Sequence, residues 1–465
     1  MNKMKPKAYF VGAGGIGMAA LERYFLSRGM AVAGYDRTPT PLTRALIEEG
    51  VNISFDDSMD AVPADFRNPD EVSVIYTPAI PDSNVPLSFF RNNGFSVEKR
   101  SVALGDITRS SRALCFSGTH GKTTTSSMAA HILHTAAVGC NAFLGGILRN
   151  YGSNLLLSAT SPYSVVEADE YDRSFHTLRP YIAVVTATDP DHLDIYGTEE
   201  AYLESFAHFT ELVVPGGFLI VHTGLKLRPR PGNDVTVFTY SQNEGTFHAA
   251  NIRRGNGTIV FDFVDERPDG MSISDIELGV PVEINIENAI AAIAATVLTG
   301  DVTADDVRRA MASFMGPERR FQFHLKEKVP GGHVVIDDYA HHPDELRQSI
   351  RSVRALYPDA KLLVAFQPHL YSRTRDFAPQ FAEALSAADS VLLLDIYPAR
   401  ELPIPGVTSK IIFDEIKVPE KLMINKDSLV NTVKNANFDI LLTVGAGDIC
   451  NSLPAIVEAL TADVK

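Results

Sequence analysis

Short apolar runs alternate with longer amphipathic stretches along most of this chain. The short runs have the length and composition of buried strands, and they lie at residues 8–11, 31–35, 72–75, 95–97, 111–116, 165–166, 183–186, 334–336, 361–366, 390–395 and 439–444. The amphipathic or alanine-rich stretches predict helices, the clearest at residues 18–27, 126–133, 289–298 and 344–356. Alternating strands and helices are typical of open parallel sheets, whereas the turn-rich residues 231–270 favour antiparallel strands.

This pattern predicts an α/β protein of three domains. A length of 465 residues favours about three domains. We place the boundaries near Gly105 and Gly316, so the predicted domains are residues 1–105, 106–316 and 317–465. The first and third are expected to be Rossmann-like, and the central one to be a P-loop ATPase domain of α/β type.

Composition narrows the class of protein and of partner. The net charge of −15 argues against nucleic acid, because a surface that binds its phosphates needs a basic face. The three cysteines are far apart and form no metal-ligand or disulfide pattern, which suits a reducing cytoplasm. No apolar run approaches membrane-spanning length. We therefore expect a cytoplasmic enzyme. Its expected partners are small molecules, and the expected oligomeric state is a monomer or a dimer.

A glycine-containing loop lies between the predicted strand at 111–116 and the helix at 126–133. The loop and the residues that follow it supply the candidate ATP ligands, which are Gly118, Thr119, His120, Gly121, Lys122, Thr123 and Thr124. Glycines let backbone N–H groups approach phosphate oxygens, Lys122 can reach the outer phosphates, and the Thr123 hydroxyl can ligate Mg²⁺. The first glycine of the usual phosphate-loop pattern is Phe116 here, so the match is to the shorter G-T-x-G-K-T. An ordinary strand-to-helix turn is the alternative.

Two acidic clusters follow predicted strands of the same segment, at residues 167–172 and 189–194. In a parallel sheet the carboxyl ends of the strands share one edge with the phosphate loop. Carboxylates there are suitable ligands for Mg²⁺ (or Mn²⁺), which makes Glu167 a candidate beside Thr123, with His192 a less usual one. Solvated acids that cap the next helices are the alternative.

The N-terminal glycines have the spacing G-x-G-x-x-G between a strand and a helix. The fingerprint comprises Gly12, Gly14 and Gly17, with Gly15 and Ile16 between them, and Asp36 follows the second strand. By pattern alone it predicts a dinucleotide site with Asp36 on a ribose hydroxyl, although the same loop serves any nucleotide diphosphate. A tight turn without a ligand is the alternative.

Polar groups at the strand ends of the third segment are mostly cationic. They include His341, His342, His369, Arg373 and Arg375. So many cationic groups at strand ends favour an anionic substrate or a transferring phosphoryl group over isolated solvated charges. Two asparagines, Asn285 and Asn288, lie three residues apart at the start of the alanine-rich helix, where helix capping alone would also explain them.

Taken together, these motifs resemble the Mur ligases, ATP-dependent ligases of peptidoglycan synthesis. The resemblance covers nearly the whole chain, and its motifs occur in order at residues 12–18, 118–125, 167–170, 191–194, 285, 288, 319–321, 338–343 and 366–369. It implies a first domain that binds a UDP-sugar, a central ATPase domain and a third domain that brings the amino acid. It also corrects the fingerprint interpretation, because the glycines would hold a UDP-sugar diphosphate and not NAD.

The resemblance also implies roles for particular residues. ATP would activate the carboxylate of UDP-N-acetylmuramate as an acyl phosphate, which the amine of L-alanine attacks to give an amide, ADP and phosphate. The implied catalytic residues are Lys122, Glu167, His192, His342, Arg373 and Arg375. Asn285 and Asn288 would lie at the adenine, with Arg319 and Asp338 reaching the nucleotide. Gly14, Gly15, Ile16, Gly17 and Asp36 would hold the UDP-sugar, and Thr123, Glu167 and His192 the metal.

Two residues depart from the family patterns, and one segment distinguishes its subgroups. Ile284 stands where the family often has histidine, and Tyr171 where the alanine-adding subgroup often has serine. The second departure keeps a murein-tripeptide ligase of wall recycling as an alternative. Residues 201–212 contain no lysine, which argues against the later-stage Mur ligases that use a modified lysine there.

Two classes outside the family are also considered. A nicotinamide-dependent oxidoreductase would explain the N-terminal glycines but would leave Lys122 and the acidic clusters without a role. A non-catalytic nucleotide-binding regulator is the other, and the combination of Lys122, Glu167 and His192 argues against it.

Overall fold

Three sheets flanked by helices organise the chain, which confirms the α/β fold class. The computed structural model describes residues 5–190, 193–255, 257–399 and 401–462. The first sheet contains β1 (Lys7–Val11), β2 (Ala31–Tyr35), β3 (Asn52–Ser54), β4 (Val72–Tyr76) and β5 (Ser96–Lys99). All its strands are parallel, in the order β3-β2-β1-β4-β5. Its helices are α1 (Ile16–Ser27), α2 (Pro41–Glu48), α3 (Val85–Asn92) and α4 (Arg100–Arg109).

The second sheet is the largest and carries the predicted phosphate loop. Its strands are β6 (Arg112–Ser117), β7 (Asn141–Leu148), β8 (Ser153–Leu156), β9 (Tyr163–Glu167), β10 (Ile182–Val185), β11 (Phe218–His222), β12 (Thr236–Tyr240), β13 (Phe247–Gly255), β14 (Thr258–Asp265) and β15 (Ile273–Glu277). The helices of this part are α5 (Lys122–Thr135), α6 (Leu193–Tyr196), α7 (Glu199–Glu211), α8 (Ile284–Val297) and α9 (Ala304–Ser313). The strand order is β15-β14-β13-β12-β11-β10-β6-β9-β7-β8, which places β6 between β10 and β9.

The third sheet is parallel except at one edge. It contains β16 (Gln322–Lys326), β17 (Val334–Asp338), β18 (Leu362–Phe366), β19 (Ser390–Leu394), β20 (Glu420–Ile424) and β21 (Ile440–Val444), in the order β16-β17-β21-β18-β19-β20. Only β16 is antiparallel to its neighbour. The helices are α10 (Pro343–Leu356), α11 (Tyr371–Leu385), α12 (Lys410–Phe413), α13 (Leu429–Lys434) and α14 (Leu453–Thr461). Short 3₁₀ helices occupy Met59–Ala61, Ala64–Phe66, Ser174–Thr177, Lys426–Ser428 and Ile449–Ser452.

The prediction of antiparallel strands in residues 231–270 is wrong for β12, which pairs in parallel with both β11 and β13. Strand β12 pairs in parallel with β11 through residues 218–222 and 236–240. The connection from His222 to Thr236 is far longer than a hairpin turn, so the chain can return to the starting edge before β12 begins. The alternation of polar and apolar residues predicted the strand but could not predict its direction.

The chain divides into two units. The first comprises Met1–Ala250, Asp262–Ile276 and Glu287–Ser313, and the second Asn251–Phe261, Glu277–Ile286 and Phe314–Lys465. In the first unit, helix α1 packs on the β7–β8 hairpin, where the rings of Tyr24 and Phe143 meet edge-on with centroids 5.5 Å apart. Gly105, the predicted end of the first domain, lies inside α4. A Cβ there would stand 2.4 Å from the Thr177 carbonyl oxygen, so α4 approaches that backbone closely. No described helix is both long enough and apolar enough to cross a membrane.

A buried acid in α1 has no evident partner. Glu22 is 0% exposed, and neither carboxylate oxygen has a hydrogen-bond partner among the described residues. Burial raises the pKa of Glu22 well above its usual range. Nearby Asp36 and Glu49 act in the same direction, and Arg23 opposes them. An unpaired buried carboxyl is more stable in its neutral form.

We predict that Glu22→Gln makes stability less dependent on pH. Between the unfolded pKa of about 4.3 and the raised folded pKa, the folded protein holds a proton that the unfolded chain releases, so wild-type stability falls as pH rises. The amide cannot ionise. The variant should match wild type near pH 4.5 and be more stable than wild type at pH 8. Urea denaturation at both pH values measures this. Glu48→Gln, on the exposed end of α2, is the control, and equal pH dependence in wild type and Glu22→Gln would contradict the prediction.

Candidate functional site

Three strand ends meet around the predicted phosphate loop. The loop follows β6, and β6 is paired with β9 so that Phe116 lies opposite Glu167. On its other side Ser117 lies opposite Val185, the last residue of β10. Both acidic clusters therefore begin at the edge of the sheet where the phosphate loop lies, as the sequence predicted. The segment from 189 includes residues 191 and 192, so the prediction for His192 falls outside the described residues.

The backbone of the loop requires glycine at two positions. Gly118 has φ +141° and Gly121 has φ +84°, both in the region that disfavours L side chains. A Cβ on Gly118 would lie 2.2 Å from the Thr186 hydroxyl, and one on Gly121 would lie 2.8 Å from Asn288 Oδ1. Gly121 caps α5, so the amino end of that helix and the loop amides face the same region. Such a loop can cradle phosphate oxygens.

Lys122 is held by the acid of the neighbouring strand end. Its Nζ donates to the Gly118 carbonyl at 2.7 Å and lies 2.9 Å from both carboxylate oxygens of Glu170. Glu170 is almost fully buried, and burial raises its pKa while Lys122 lowers it. The sequence placed Glu170 in an acidic cluster without assigning this pairing. The contact keeps a cationic group at the loop, where it can neutralise phosphate charge.

Two predicted metal ligands are in contact. The Thr123 hydroxyl is hydrogen-bonded to the carboxylate of Glu167, whose Oε2 also accepts the Gly145 N–H at 3.0 Å. Burial raises the pKa of Glu167, while Thr123 and Lys122 lower it. A hydroxyl beside a carboxylate at a phosphate loop fits a divalent cation held by hard oxygen ligands.

Helices α7 and α8 brace the loop from two sides. Thr119 bonds through its hydroxyl to the Asp189 carbonyl at 2.8 Å and to the Tyr202 hydroxyl at 2.9 Å. Asn288, in α8, accepts a bond from the Thr125 hydroxyl at 3.2 Å. Asn288 is therefore next to the loop.

The remaining residues of the predicted ATP set have less direct contacts. Asn285 donates to the Val280 carbonyl at 3.0 Å, and Ile284 begins α8 with 41% of its surface exposed. The exposed His120 ring lies 4.0 Å from the Asp189 carboxylate, and Thr124 follows in the first turn of α5.

The N-terminal glycine loop closes around Asp36. Its Oδ2 accepts the Gly14 N–H at 2.6 Å, and its Oδ1 accepts the Thr38 N–H at 3.1 Å. A Cβ on Gly14 would lie 2.9 Å from the same carboxylate. Asp36 thus holds the loop in place, a contact that the dinucleotide interpretation did not predict. The exposed Ile16 follows at the start of α1.

A cleft of about 300 Å³ lies between this loop and Glu167, at the end of β9. Its lining combines residues of both sheets, namely Ile16, Gly17, Ala20, Leu21, Arg100, Leu104, Phe143, Leu144, Gly145, Asn154, Glu167 and Asp169. Asn154, buried in β8, donates to the Ile16 carbonyl at 3.1 Å and so joins the two sheets at the cleft. A ligand in the cleft can therefore contact both the N-terminal loop and Glu167.

Sequence reasoning missed Arg100, the basic residue of this cleft. Its Nη1 would lie 3.0 Å from a Cβ on Gly17, so the guanidinium packs on the glycine loop. Within the described part of the chain no carboxylate forms an ion pair with it. No local pattern marks Arg100, because its proximity to Gly17 depends on how α4 packs against α1.

In the second unit, Arg319 is bound to strand ends of its own sheet. It donates to the carbonyls of Gly445 and Gly447 and lies 3.4 Å from the buried carboxylate of Asp337. Asp338 accepts bonds from the Ser349 hydroxyl and the Phe321 N–H. Burial raises the pKa of Asp338 to about 6 against those hydrogen bonds. Both residues lie at the carboxyl edge of this sheet.

Histidines and arginines of the same edge form a partly buried cluster. The ring of His369 is 6.2 Å from that of His341 and stacks on Tyr397 at 5.9 Å. Burial lowers the pKa of His369, and Arg373 and His341 add to this effect, which places Arg373 in the cluster. Arg375 points elsewhere, since it is exposed and pairs with Asp376 at 2.7 Å.

His342 lies at the amino end of α10, where its Nδ1 accepts the Asp344 N–H at 3.4 Å. Its ring packs edge-on against Phe377, with the centroids 4.9 Å apart. His342 therefore serves as a helix cap in this structure, a role that the strand-end pattern did not indicate.

Models of three Mur ligase domains match successive parts of the chain. The Mur ligase family catalytic domain matches residues 7–112, the Mur ligase middle domain 116–296, and the Mur ligase glutamate ligase domain 319–449. The UDP-N-acetylmuramate–L-alanine ligase of Phocaeicola vulgatus is 57% identical over 462 residues, covering 99% of each chain. That of Parabacteroides distasonis is 54% identical over 458 residues, covering 98% of each chain.

Solved structures give the same picture of the fold. The UDP-N-acetylmuramate–alanine ligase of Thermotoga maritima superposes with a TM-score of 0.76 at 28% identity, covering 98% of this chain and 99% of that one. A murein peptide ligase from Psychrobacter arcticus superposes with a TM-score of 0.61 at 19% identity, covering 98% of each chain. The second likeness shows the fold alone.

We predict that Gly121→Ala destabilises the loop through both its backbone angle and its contact with Asn288. Gly216→Ala is the matched control, because Gly216 has φ +79° with open space around its Cβ position. Both variants should lose about 1–2 kcal/mol from the positive φ, and Gly121→Ala should lose more. Thermal unfolding measures the difference. Adding Asn288→Ala should recover part of the extra loss, and equal losses in the two single variants would contradict the predicted clash.

Proposed function

The chain belongs to the Mur ligase family, and from this premise we propose that it joins L-alanine to UDP-N-acetylmuramate, converting ATP to ADP and phosphate. The observation that carries the proposal is similarity along the whole chain to alanine ligases, together with a formed phosphate loop. The sugar nucleotide carboxylate attacks the outer phosphate of ATP to give an acyl phosphate. The L-alanine amine then attacks the acyl carbon, and phosphate leaves.

ATP binding is supported by the glycine loop and Lys122. The Cβ positions of Gly118 and Gly121 are occupied by neighbours, so only backbone lines the cradle there. Lys122 is held by its hydrogen bond to Glu170. From this position it neutralises the negative charge that develops on the phosphates during transfer. Asn288, beside the loop, is the adenine-side residue that the geometry favours, with Asn285 one turn earlier in α8.

Thr123 and Glu167 fit Mg²⁺ or Mn²⁺, since a hydroxyl and a carboxylate meet beside the loop. When bound, the ion neutralises phosphate charge and orients the phosphate for in-line attack. Glu167 also lines the cleft, so the carboxylate to be activated and the phosphates can share one region.

The cleft is the proposed UDP-sugar site. Amides of the N-terminal loop and the amino end of α1 bind the diphosphate, and Asp36 keeps the loop in shape. Arg100 supplies the cation that the loop lacks. Residues 1–105, 106–316 and 317–465 are the proposed UDP-sugar, ATPase and amino-acid domains, and the cytoplasm is the proposed compartment.

In the third domain, Arg373 and His369 are the candidates for the L-alanine carboxylate, because they share one partly buried cluster. Arg319 and Asp338 lie at the same sheet edge and are proposed to reach the nucleotide. His342 is proposed to approach the muramyl carboxylate or the incoming alanine. Arg375 is less well placed for catalysis, given its exposed pair with Asp376.

The test is phosphate release from ATP and Mg²⁺ with UDP-N-acetylmuramate as the sugar nucleotide. We expect release that requires both the sugar nucleotide and L-alanine. Release that requires UDP-N-acetylmuramate and the tripeptide L-Ala-γ-D-Glu-meso-diaminopimelate, and does not occur with L-alanine, would move the protein to wall recycling. No release with either amine would overturn the proposal.

Lys122→Ala should lower turnover by about two to three orders of magnitude, by analogy with the loss of one preorganised charge-stabilising group. Lys226→Ala is the control, because Lys226 forms an exposed pair with Glu199 in the same unit. The control should retain wild-type turnover. Wild-type turnover in Lys122→Ala would exclude the assigned role of the phosphate loop.

Arg100→Gln should raise the KM for UDP-N-acetylmuramate by about tenfold or more, with little change in the KM for ATP. The expected loss is that of a charge-assisted contact to a diphosphate. Steady-state kinetics with each substrate varied in turn measures both constants. Arg109→Gln, at the exposed end of the same helix, is the control. An unchanged KM for the sugar nucleotide would remove Arg100 from the site.

A further inference from the structure

An ion pair joins the end of β11 to the first turn of α8. His222 is the last residue of β11, and its Nε2 lies 3.3 Å from Glu287 Oε1. On the other side of the ring, Nδ1 is 2.7 Å from the Thr223 carbonyl oxygen. Both side chains are largely covered, with 21% and 29% of their surfaces exposed.

The two contacts of the ring decide its charge. The Thr223 carbonyl can only accept, so Nδ1 must carry a proton. A neutral imidazole then has a lone pair at Nε2, which would face the carboxylate of Glu287. Only the imidazolium can satisfy both neighbours when Glu287 is ionised. The position of Glu287 beside Nε2 therefore favours a charged His222.

Few other groups act on this pair. The Tyr240 ring meets that of His222 edge-on at 5.1 Å, and the Gln242 backbone N–H donates to Glu287. Among the described residues, no further charged side chain shifts the pKa of His222 or of Glu287. The hydrogen bond with Glu287 raises the pKa of His222, and the same bond lowers that of Glu287. The ion pair is intact at pH values between the pKa of Glu287 and the pKa of His222. It is lost as the pH rises through the pKa of His222.

Glu287 is followed by the residue that touches the phosphate loop. Asn288 accepts the bond from Thr125 and lies at the position that a Cβ on Gly121 would contact. The first turn of α8 is thus held on one side by His222 and on the other by the loop. A shift of this turn would move Asn288 against Gly121, the cap of α5.

We propose that His222 and Glu287 act as a charge-dependent tether that positions Asn288 against the phosphate loop, so that ATP affinity falls when His222 loses its proton. This inference rests on the proposed function only in taking the loop as an ATP site. His222 and Glu287 are positioning residues, because neither is expected to touch the nucleotide. The tether is expected to change the affinity for ATP and not the affinity for the sugar nucleotide, because the proposed sugar-nucleotide cleft contains neither residue.

The test is a measurement of ATP binding with Mg²⁺ from pH 7 to 9.5 at constant ionic strength. Binding is monitored by the displacement of a fluorescent ATP analogue. The KM values of ATP and UDP-N-acetylmuramate are measured in parallel. In wild type the ATP dissociation constant should rise about three- to tenfold across the range, as expected for loss of one partly covered charge pair. Titration of ATP itself is common to all variants and cancels in the comparison.

Two variants separate the tether from a merely structural role. In Glu287→Gln the amide can donate to the neutral ring, so the contact survives deprotonation and the alkaline rise should disappear. In His222→Phe the contact is absent, so ATP affinity should be weak at every pH without an alkaline rise. Circular dichroism checks the fold of each. Should His222→Phe not fold, the isosteric Glu287→Gln decides alone.

The outcomes distinguish the two proposals. An alkaline rise that is the same in Glu287→Gln and wild type would overturn the tether, as would wild-type ATP affinity in His222→Phe at pH 7. A parallel rise in the KM for UDP-N-acetylmuramate would also contradict it. Absence of ATP binding by wild type at every pH would instead remove the ATP site and with it the proposed function.

Discussion

The close backbone approach at the end of β6 is the constraint on which the rest of the site depends. Gly118 and Gly121 adopt positive φ angles and leave no room for a Cβ, since Thr186 and Asn288 already occupy those positions. The loop can therefore face a phosphate with backbone amides alone, and helix α5 starts at the cradle. Because β6 lies between β9 and β10, the acids at the ends of these strands are brought to the same place.

Charge around the loop is arranged in pairs. Lys122 is held by Glu170, and Glu167 is held by Thr123 and Gly145. Burial would favour the neutral acids, and these contacts oppose that tendency. A nucleotide that binds here meets a cation already oriented and a carboxylate already in contact with the threonine hydroxyl. Preorganisation of this kind lowers the reorganisation needed during phosphoryl transfer.

In the cleft between the first two sheets, particular side chains surround a glycine loop of a general nucleotide-binding type. Asp36 is used to shape the loop, and Arg100 supplies the positive charge beside Gly17. Glu167, which belongs to the phosphate-loop sheet, also lines the cleft. The cleft thus places the proposed diphosphate site and Glu167, a proposed metal ligand, around one space.

The sequence by itself determined the α/β class, many of the strands and helices, the glycine loop after β6 and the acids at strand ends, because these depend on local periodicity and short spacing. It also carried the family resemblance, which the fold and the relatives confirm. Only the tertiary structure decided which groups meet across long separations. Lys122 with Glu170, Arg100 with Gly17 and His222 with Glu287 are contacts between distant segments, and no local pattern encodes them. The direction of β12 was decided in the same way, since the path of a long connection depends on what it packs against.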